Sequence, residues 1–428
     1  MSLSVRLLGL VSPARNPELV ARFQRRCGLF LVERARCNGE TTHAPTGTAS
    51  RGPRGQPEGN KEEQENNNSN FQSRAAINYQ GWDERQKQGL GGFKGRRGAR
   101  LAVRLQPASL RGEELAAAPP LPVFRSMGHE IFYITCLPCI HWNLDPFLCR
   151  RLVNMWTMVM YIGQLMKDLL KLPRPPSPPV VKLETRVDVE YGLPSTHAMA
   201  ATAISFTVLL SAQSRFQFPF QVGLMVAVTM SSLVSLSRLY TGMHSVLDVI
   251  SGVVISVTLI FLTYPHWEAM DRFQLGSPLS PLLGLMLPLL LSYTYPDLGH
   301  YSTTRGDTIT ILGAGAGCFA GYWVSEQLGL TVEPRGVLPA PLPPLTLQVL
   351  GWGTARSLVG VVALVGTRQV MKTLSLRVLY SWYKVPRSDS EARRRREIEV
   401  PYKFVTYTAV GLVNSILVNR VFILLGLS

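Results

Sequence analysis

From about residue 152 to its end, the chain repeats one pattern: roughly 17 to 22 apolar positions, then a short polar loop. The runs fall at 152–170, 197–213, 220–236, 246–264, 279–295, 308–328, 345–366 and 405–425. A helix needs about 20 apolar residues to cross the roughly 30 Å of hydrocarbon in a bilayer, so the pattern predicts transmembrane helices. A shorter run, IFYITCLPCIHW at 131–142, is interrupted by Pro138 and reads as a kinked span or a partial insertion. The expected fold class is all-α: a polytopic transmembrane helical bundle of roughly 8–9 spans, embedded over residues 128–428. Neither strand alternation nor a heptad repeat supports a second folded domain. GAGAG at 313–317 has no strand before it and no Lys-Ser/Thr after it, which predicts close helix packing rather than a phosphate loop.

Composition separates a second piece. Residues 1–127 carry 20 Lys and Arg against 11 Asp and Glu, about nine of the chain's net +16. Low-complexity sequence such as EEQENNNSNFQS adds to this, and a disordered basic N-terminal region is expected. Beside a membrane body and without a nucleic-acid-binding motif, that charge points to anionic membrane lipids and not to nucleic acid. The opening MSLSVRLLGLVSPAR lacks the apolar core and cleavage site of a secretory signal. Six cysteines form no extracellular disulfide framework, and CLPC at 136–139 lies in an apolar run with no second pair, as packing cysteines do.

Three polar islands interrupt the apolar pattern: KDLLKLPRP at 167–175, YGLPSTHAMA at 191–200 and SRLYTGMHSVLD at 237–248. Charges beside bilayer-length apolar sequence are costly and so call for a reason. The first two islands share one inter-span loop. Two spans separate the second from the third, and an even count returns the chain to the same face. All three can therefore meet.

Lys167 and Arg174, seven apart, could share a helix face until Pro173 and Pro175 end it. A Lys as a mobile point charge and an Arg as a bidentate fork suit a phosphate, although flanking charges that snorkel are the commoner case. Ser195 and Thr196 precede a helix starting near His197, and a cap there leaves N–H groups and a dipole that favour an anion. His244 and Asp248, four apart, could pair on one helix face, the carboxylate fixing the tautomer of the imidazole. Arg238 could add a third cation. Neither an Asp/Glu cluster for magnesium nor a His/Cys set for zinc accompanies these groups, so no metal and no cofactor is expected. The set suits metal-free phosphoryl transfer, one histidine attacking phosphorus and the other protonating the leaving oxygen.

Lys167-x6-Arg174-Pro175, Pro194-Ser195-Thr196-His197 and Ser237-Arg238-x5-His244-x3-Asp248 resemble the three signature motifs of the type 2 phosphatidic acid phosphatase superfamily. The resemblance implies that His244 forms a phosphohistidine, that Asp248 orients it, and that His197 is the acid for the leaving alcohol. It implies further that Lys167, Arg174, Ser195 and Arg238 hold the phosphate, with Thr196 standing where the wider superfamily usually has Gly. Over nearly all of 129–428 the chain is similar to the sphingosine-1-phosphate phosphatases, and LVARFQRRCGLF at 19–30 resembles that family's N-terminal opening. That similarity implies an endoplasmic reticulum membrane enzyme hydrolysing sphingosine 1-phosphate and similar lipid phosphates. The motifs alone leave other readings open: a polyisoprenyl diphosphate, glycerolipid phosphate or glucose 6-phosphate phosphatase, or a silent scaffold or transporter. Arg150, Arg151, Arg215 and Arg272 lie on the face opposite the islands, which puts the islands in the lumen. Counting every span also puts the basic loop RSDSEARRRREIE (387–399) on the island side, so one span between 279 and 366 is expected to be miscounted.

Overall fold

The computed structural model describes residues 13–33, 101–104, 130–183, 190–299, 301–331, 337–342, 346–386, 389 and 391–427. Residues 28–109 form a unit of their own, whose described part is an antiparallel pair, β1 (Phe30–Glu33) and β2 (Leu101–Arg104), with Phe30 opposite Arg104. The other unit holds residues 1–27 and 110–428. The disordered basic region expected over 1–127 falls mostly outside the described residues. Those that are described include α1 (Pro17–Arg26), capped by the Asn16 side chain, which accepts from the Glu18 N–H. The IFYITC half of the interrupted run has its side chains outside the described residues. Its backbone belongs to α2 (Glu130–Asn143), which runs through Pro138.

Helices dominate from there on. They are α3 (Pro146–Leu170), α4 (Thr196–Ala212), α5 (Phe220–Tyr240), α6 (Val246–Thr263), α7 (Trp267–Gly276) and α8 (Ser280–Thr294). After these come α9 (Thr303–Gln327), α10 (Leu347–Trp382), α11 (Arg396–Leu412) and α12 (Val418–Leu424), the last two joined by a π-helical turn at Val413–Leu417. A two-residue parallel pair joins β3 (Phe216–Gln217) to β4 (Ala340–Pro341).

Among the described residues, five stretches can cross a membrane by length and composition: Phe220–Tyr240, Val246–Gly276, Thr303–Gln327, Leu347–Trp382 and Arg396–Leu424. Thr196–Ala212 and Ser280–Thr294 are shorter apolar helices. Phe261, Val362 and Val370 are more than 60% exposed on these helices, as side chains facing lipid would be. The chain is a multi-pass membrane protein.

The run expected at 152–170 is α3, and it packs inside the bundle. Leu152, Trp156 and Met160 meet Leu137 of α2, Ala200 of α4 and Ile311 of α9. One end of α3 holds Arg150 and Arg151, both donating to Asp271 of α7. The GAGAG run packs as expected. A Cβ on Gly317 would fall on the Thr408 backbone, and one on Gly411 would lie 2.6 Å from the Ala314 carbonyl oxygen, so glycines let α9 and α11 touch backbone to backbone.

The basic loop at 387–399 departs from expectation. Arg305 in the first turn of α9 donates to Glu399 Oε2 at 2.8 Å and to the Arg394 carbonyl at 3.1 Å. Thr303, two residues earlier, donates to Glu190 between the first two islands. Arg394 and Glu399, at the end of the loop, therefore lie on the island face. Glu399 is buried and shared by Arg305 and Lys403, which holds the end of the loop there.

Candidate active site

Asp145 caps α3 at its start, and the helix ends with Lys171 in the left-handed conformation (φ 50°). This end comes before the prolines expected to cause it. Leu172, preceding Pro173, is biased away from helical backbone in any case. Lys167 thus lies in the last turn of α3, while Arg174 lies in the irregular segment after it. Both converge on Glu190: Lys167 Nζ lies 3.7 Å from Oε2, and Arg174 Nη2 donates to the same oxygen at 3.3 Å. Arg174 Nε also donates to the Glu190 carbonyl at 2.9 Å, and Nη1 to the Met243 carbonyl at 3.1 Å. The first and third islands are joined through that last bond.

Ser195 is the N-cap of α4, accepting from the Ala198 N–H, and Thr196 Oγ1 accepts from Lys167 Nζ at 3.1 Å. His197 follows in the first turn, half-buried. The Ser195 N–H donates to the Asp248 carbonyl at 2.9 Å, which fastens the second island to the third.

His244 sits one residue before Ser245, the N-cap of α6, and so lies off the helix on which the pairing with Asp248 was expected. Ser245 and Asp248 form a capping box in which Asp248 Oδ2 accepts the Ser245 N–H at 2.7 Å. The box turns the carboxylate back toward His244, where Oδ2 lies 3.7 Å from Nδ1. That is a charge contact but too long for a hydrogen bond. Nδ1 instead lies 3.0 Å from the Gly192 carbonyl oxygen. A carbonyl can only accept, so Nδ1 carries the proton and Nε2 the lone pair.

Burial pushes the His244 pKa down to about 4, Asp248 opposing the shift and Arg174 and Lys167 adding to it. Burial alone would raise the Glu190 carboxyl, yet Lys167, Arg174 and the Thr303 hydroxyl hold it below the usual carboxylate range. Arg238 ends α5 almost fully buried, its Nε donating to Ser237 Oγ at 3.3 Å. Its carbonyl accepts the Met243 N–H, within the same loop as His244.

Three participants escaped sequence reasoning. Glu190 binds both cations of the first island. Gly192 supplies the acceptor for His244, and a Cβ there would meet Asp248 Oδ2 at 3.1 Å and the backbone of residues 173–174 at 3.4 Å. Gln24 of α1 is 1% exposed, and Nε2 donates to the Val181 carbonyl at 2.7 Å and the Tyr240 carbonyl at 2.9 Å. Its Oε1 accepts the Val181 N–H at 2.9 Å. It carries no motif, and the only signal was its place in the stretch 19–30.

A helical membrane bundle with clustered cations and histidines at one face belongs to a known class. Residues 149–270, which contain all eight candidate residues, match the PAP2 superfamily. The chain is 46% identical over 428 residues to human sphingosine-1-phosphate phosphatase 2, covering 98% of this chain and 99% of that one. It is 54% identical over 304 residues to the mouse protein of the same name, covering 71% and 86% of the two chains. Identity to rat sphingosine-1-phosphate phosphatase 1 is 37%, with full coverage of both. No solved structure matches. The chain belongs to the sphingosine-1-phosphate phosphatase family. It is a phosphoric monoester hydrolase acting on lipid phosphates.

Proposed function

We propose that this chain hydrolyses sphingosine 1-phosphate and related long-chain base phosphates to the free base and phosphate, without a metal, through a phosphohistidine. The observation that carries the reading is the Nδ1 contact of His244 with the Gly192 carbonyl, which leaves Nε2 as the nucleophile. Lys167, Arg174 and Arg238, with Ser195 and Thr196, hold the phosphate oxygens and stabilise the charge of the trigonal transition state. Nε2 bonds to phosphorus as the ester P–O bond breaks, and His197 gives its proton to the departing alkoxide. The unprotonated His197 then takes a proton from water, whose oxygen attacks phosphorus. The P–N bond breaks and inorganic phosphate leaves. Asp248 stabilises the charge that the imidazole ring carries in the intermediate. The similarity in name and sequence of the relatives supports the substrate. Arg150 and Arg151 around Asp271, on the face opposite the site, favour a lumenal site although the basic loop at 387–399 opposes it, and the family resemblance supports the endoplasmic reticulum membrane.

The test is phosphate release by microsomes expressing the chain, with EDTA present. Sphingosine 1-phosphate, lysophosphatidate and glucose 6-phosphate are compared, and His244→Ala serves as the control. Release from sphingosine 1-phosphate that persists in EDTA and vanishes in the variant is expected. Equal release by the variant sinks the mechanism, dependence on added metal sinks the metal-free reading, and selective glucose 6-phosphate release sinks the substrate.

A further inference from the structure

Glu190 is a carboxylate in contact with the cations that the proposed function assigns to the phosphate. Its Oε2 faces Lys167 and Arg174, and its Oε1 accepts from Thr303 Oγ1 at 2.9 Å. An arriving phosphate competes for the same Lys and Arg. Once they turn to it, a half-buried carboxylate stands next to a dianion with part of its compensation withdrawn, which is costly. A substrate can remove that cost by bringing a cation of its own. A long-chain base phosphate does so, because its ammonium sits on the carbon adjacent to the one bearing the phosphate. A phosphate held by Lys167 and Arg174 therefore presents that ammonium beside Glu190.

We propose that Glu190 is a specificity residue that receives the ammonium of the substrate and disfavours phosphates lacking one. The proposal rests on the substrate reading above and deepens it. Attraction and repulsion both contribute: the amine-bearing lipid gains an ion pair, and an amine-free lipid phosphate meets an uncompensated carboxylate. Thr303 at the start of α9 fixes the other carboxylate oxygen, so the group cannot simply swing away without losing that bond.

The experiment compares kcat/KM for sphingosine 1-phosphate and lysophosphatidate in the full-length protein and its E190Q variant. Glutamine keeps the shape and the Thr303 contact but removes the charge. The preference for sphingosine 1-phosphate is expected to fall by about tenfold or more, the size of one lost ion pair in a partly buried site. Loss in equal proportion on both substrates overturns the proposal, since Glu190 would then only position Lys167 and Arg174. A second measurement needs no variant: N-acetylated sphingosine 1-phosphate, whose nitrogen is neutral, is offered to the wild-type protein. Turnover reduced about tenfold supports the ammonium contact, and turnover equal to that of the free amine overturns it. Wild-type protein that releases phosphate from lysophosphatidate but from no long-chain base phosphate overturns the substrate reading and this proposal together.

Discussion

Gln24→Ala tests whether the N-terminal helix is part of the enzyme. The side chain bridges Val181, seven residues past Arg174, and Tyr240, four residues before His244, through three hydrogen bonds. Each is worth about 1 kcal/mol net, and truncation leaves buried backbone groups unpaired at about 1–3 kcal/mol. Water entering the space relieves part of that cost, which puts the expected loss at roughly 2–3 kcal/mol. A ten-residue helix has little stability by itself, so α1 should detach before the bundle melts. Thermal unfolding in detergent should then begin roughly 4–8 °C lower, by the usual size scaling. Trypsin should cut at Arg22, Arg25 and Arg26 under conditions that spare the wild type. Because the loops carrying Arg174 and His244 lose a shared anchor, kcat/KM should fall about tenfold. Wild-type melting together with wild-type kcat/KM would refute the argument that these bonds hold the site together.

The pH profile follows from His244. Its pKa is held down at about 4 by burial, so the imidazole stays neutral to mildly acid pH. The acid limb of kcat/KM attributable to it should lie near pH 4 and not near the ordinary value of about 6.5. The sign for stability agrees: a depressed histidine contributes fully above about 6.5, and its contribution is lost as pH falls through 4. A ring titration centred near 6.5, read from the imidazole NMR signal that His244→Ala removes, would contradict the burial described here. Asp248→Asn separates the two roles of Asp248, since the amide oxygen can still accept the Ser245 N–H while the charge is gone. Melting should shift by less than about 1 kcal/mol equivalent, whereas kcat should drop about 10²-fold or more. A large loss of stability with kcat preserved would make Asp248 a cap alone.

The residues of the candidate site were legible because they are written locally. Lys167 to Arg174, Ser195 to His197 and His244 to Asp248 each fall within eight residues, and span parity brings them to one face. What the sequence hid was the connections between them. Glu190 acts on cations 23 and 16 residues away, Gly192 on a histidine 52 residues away, and Gln24 on backbone 157 and 216 residues away. No periodicity marks a partner at such separations. Local geometry caused the other differences. The left-handed Lys171 ends α3 before the prolines can, and the capping box of Ser245 and Asp248 starts α6 just after His244, so that contact forms across a helix start and not along a helix face. Glu399, buried between Arg305 and Lys403, ties the end of the basic loop to the start of α9, a contact that neither span parity nor charge reveals.

The anchor at Gln24 also bears on which side of the membrane α1 lies. By its bonds to the loops after α3 and α5, α1 lies at the end of the bundle that holds His244. The stretch Val246–Gly276, long enough to cross the bilayer, begins at that end and carries Asp271 near its other end, where Arg150 and Arg151 of α3 meet it. Residues 17–26 and residues 146–151 therefore face different compartments. An epitope placed ahead of α1 reports the compartment that His244 faces, and one placed between α2 and α3 reports the opposite one.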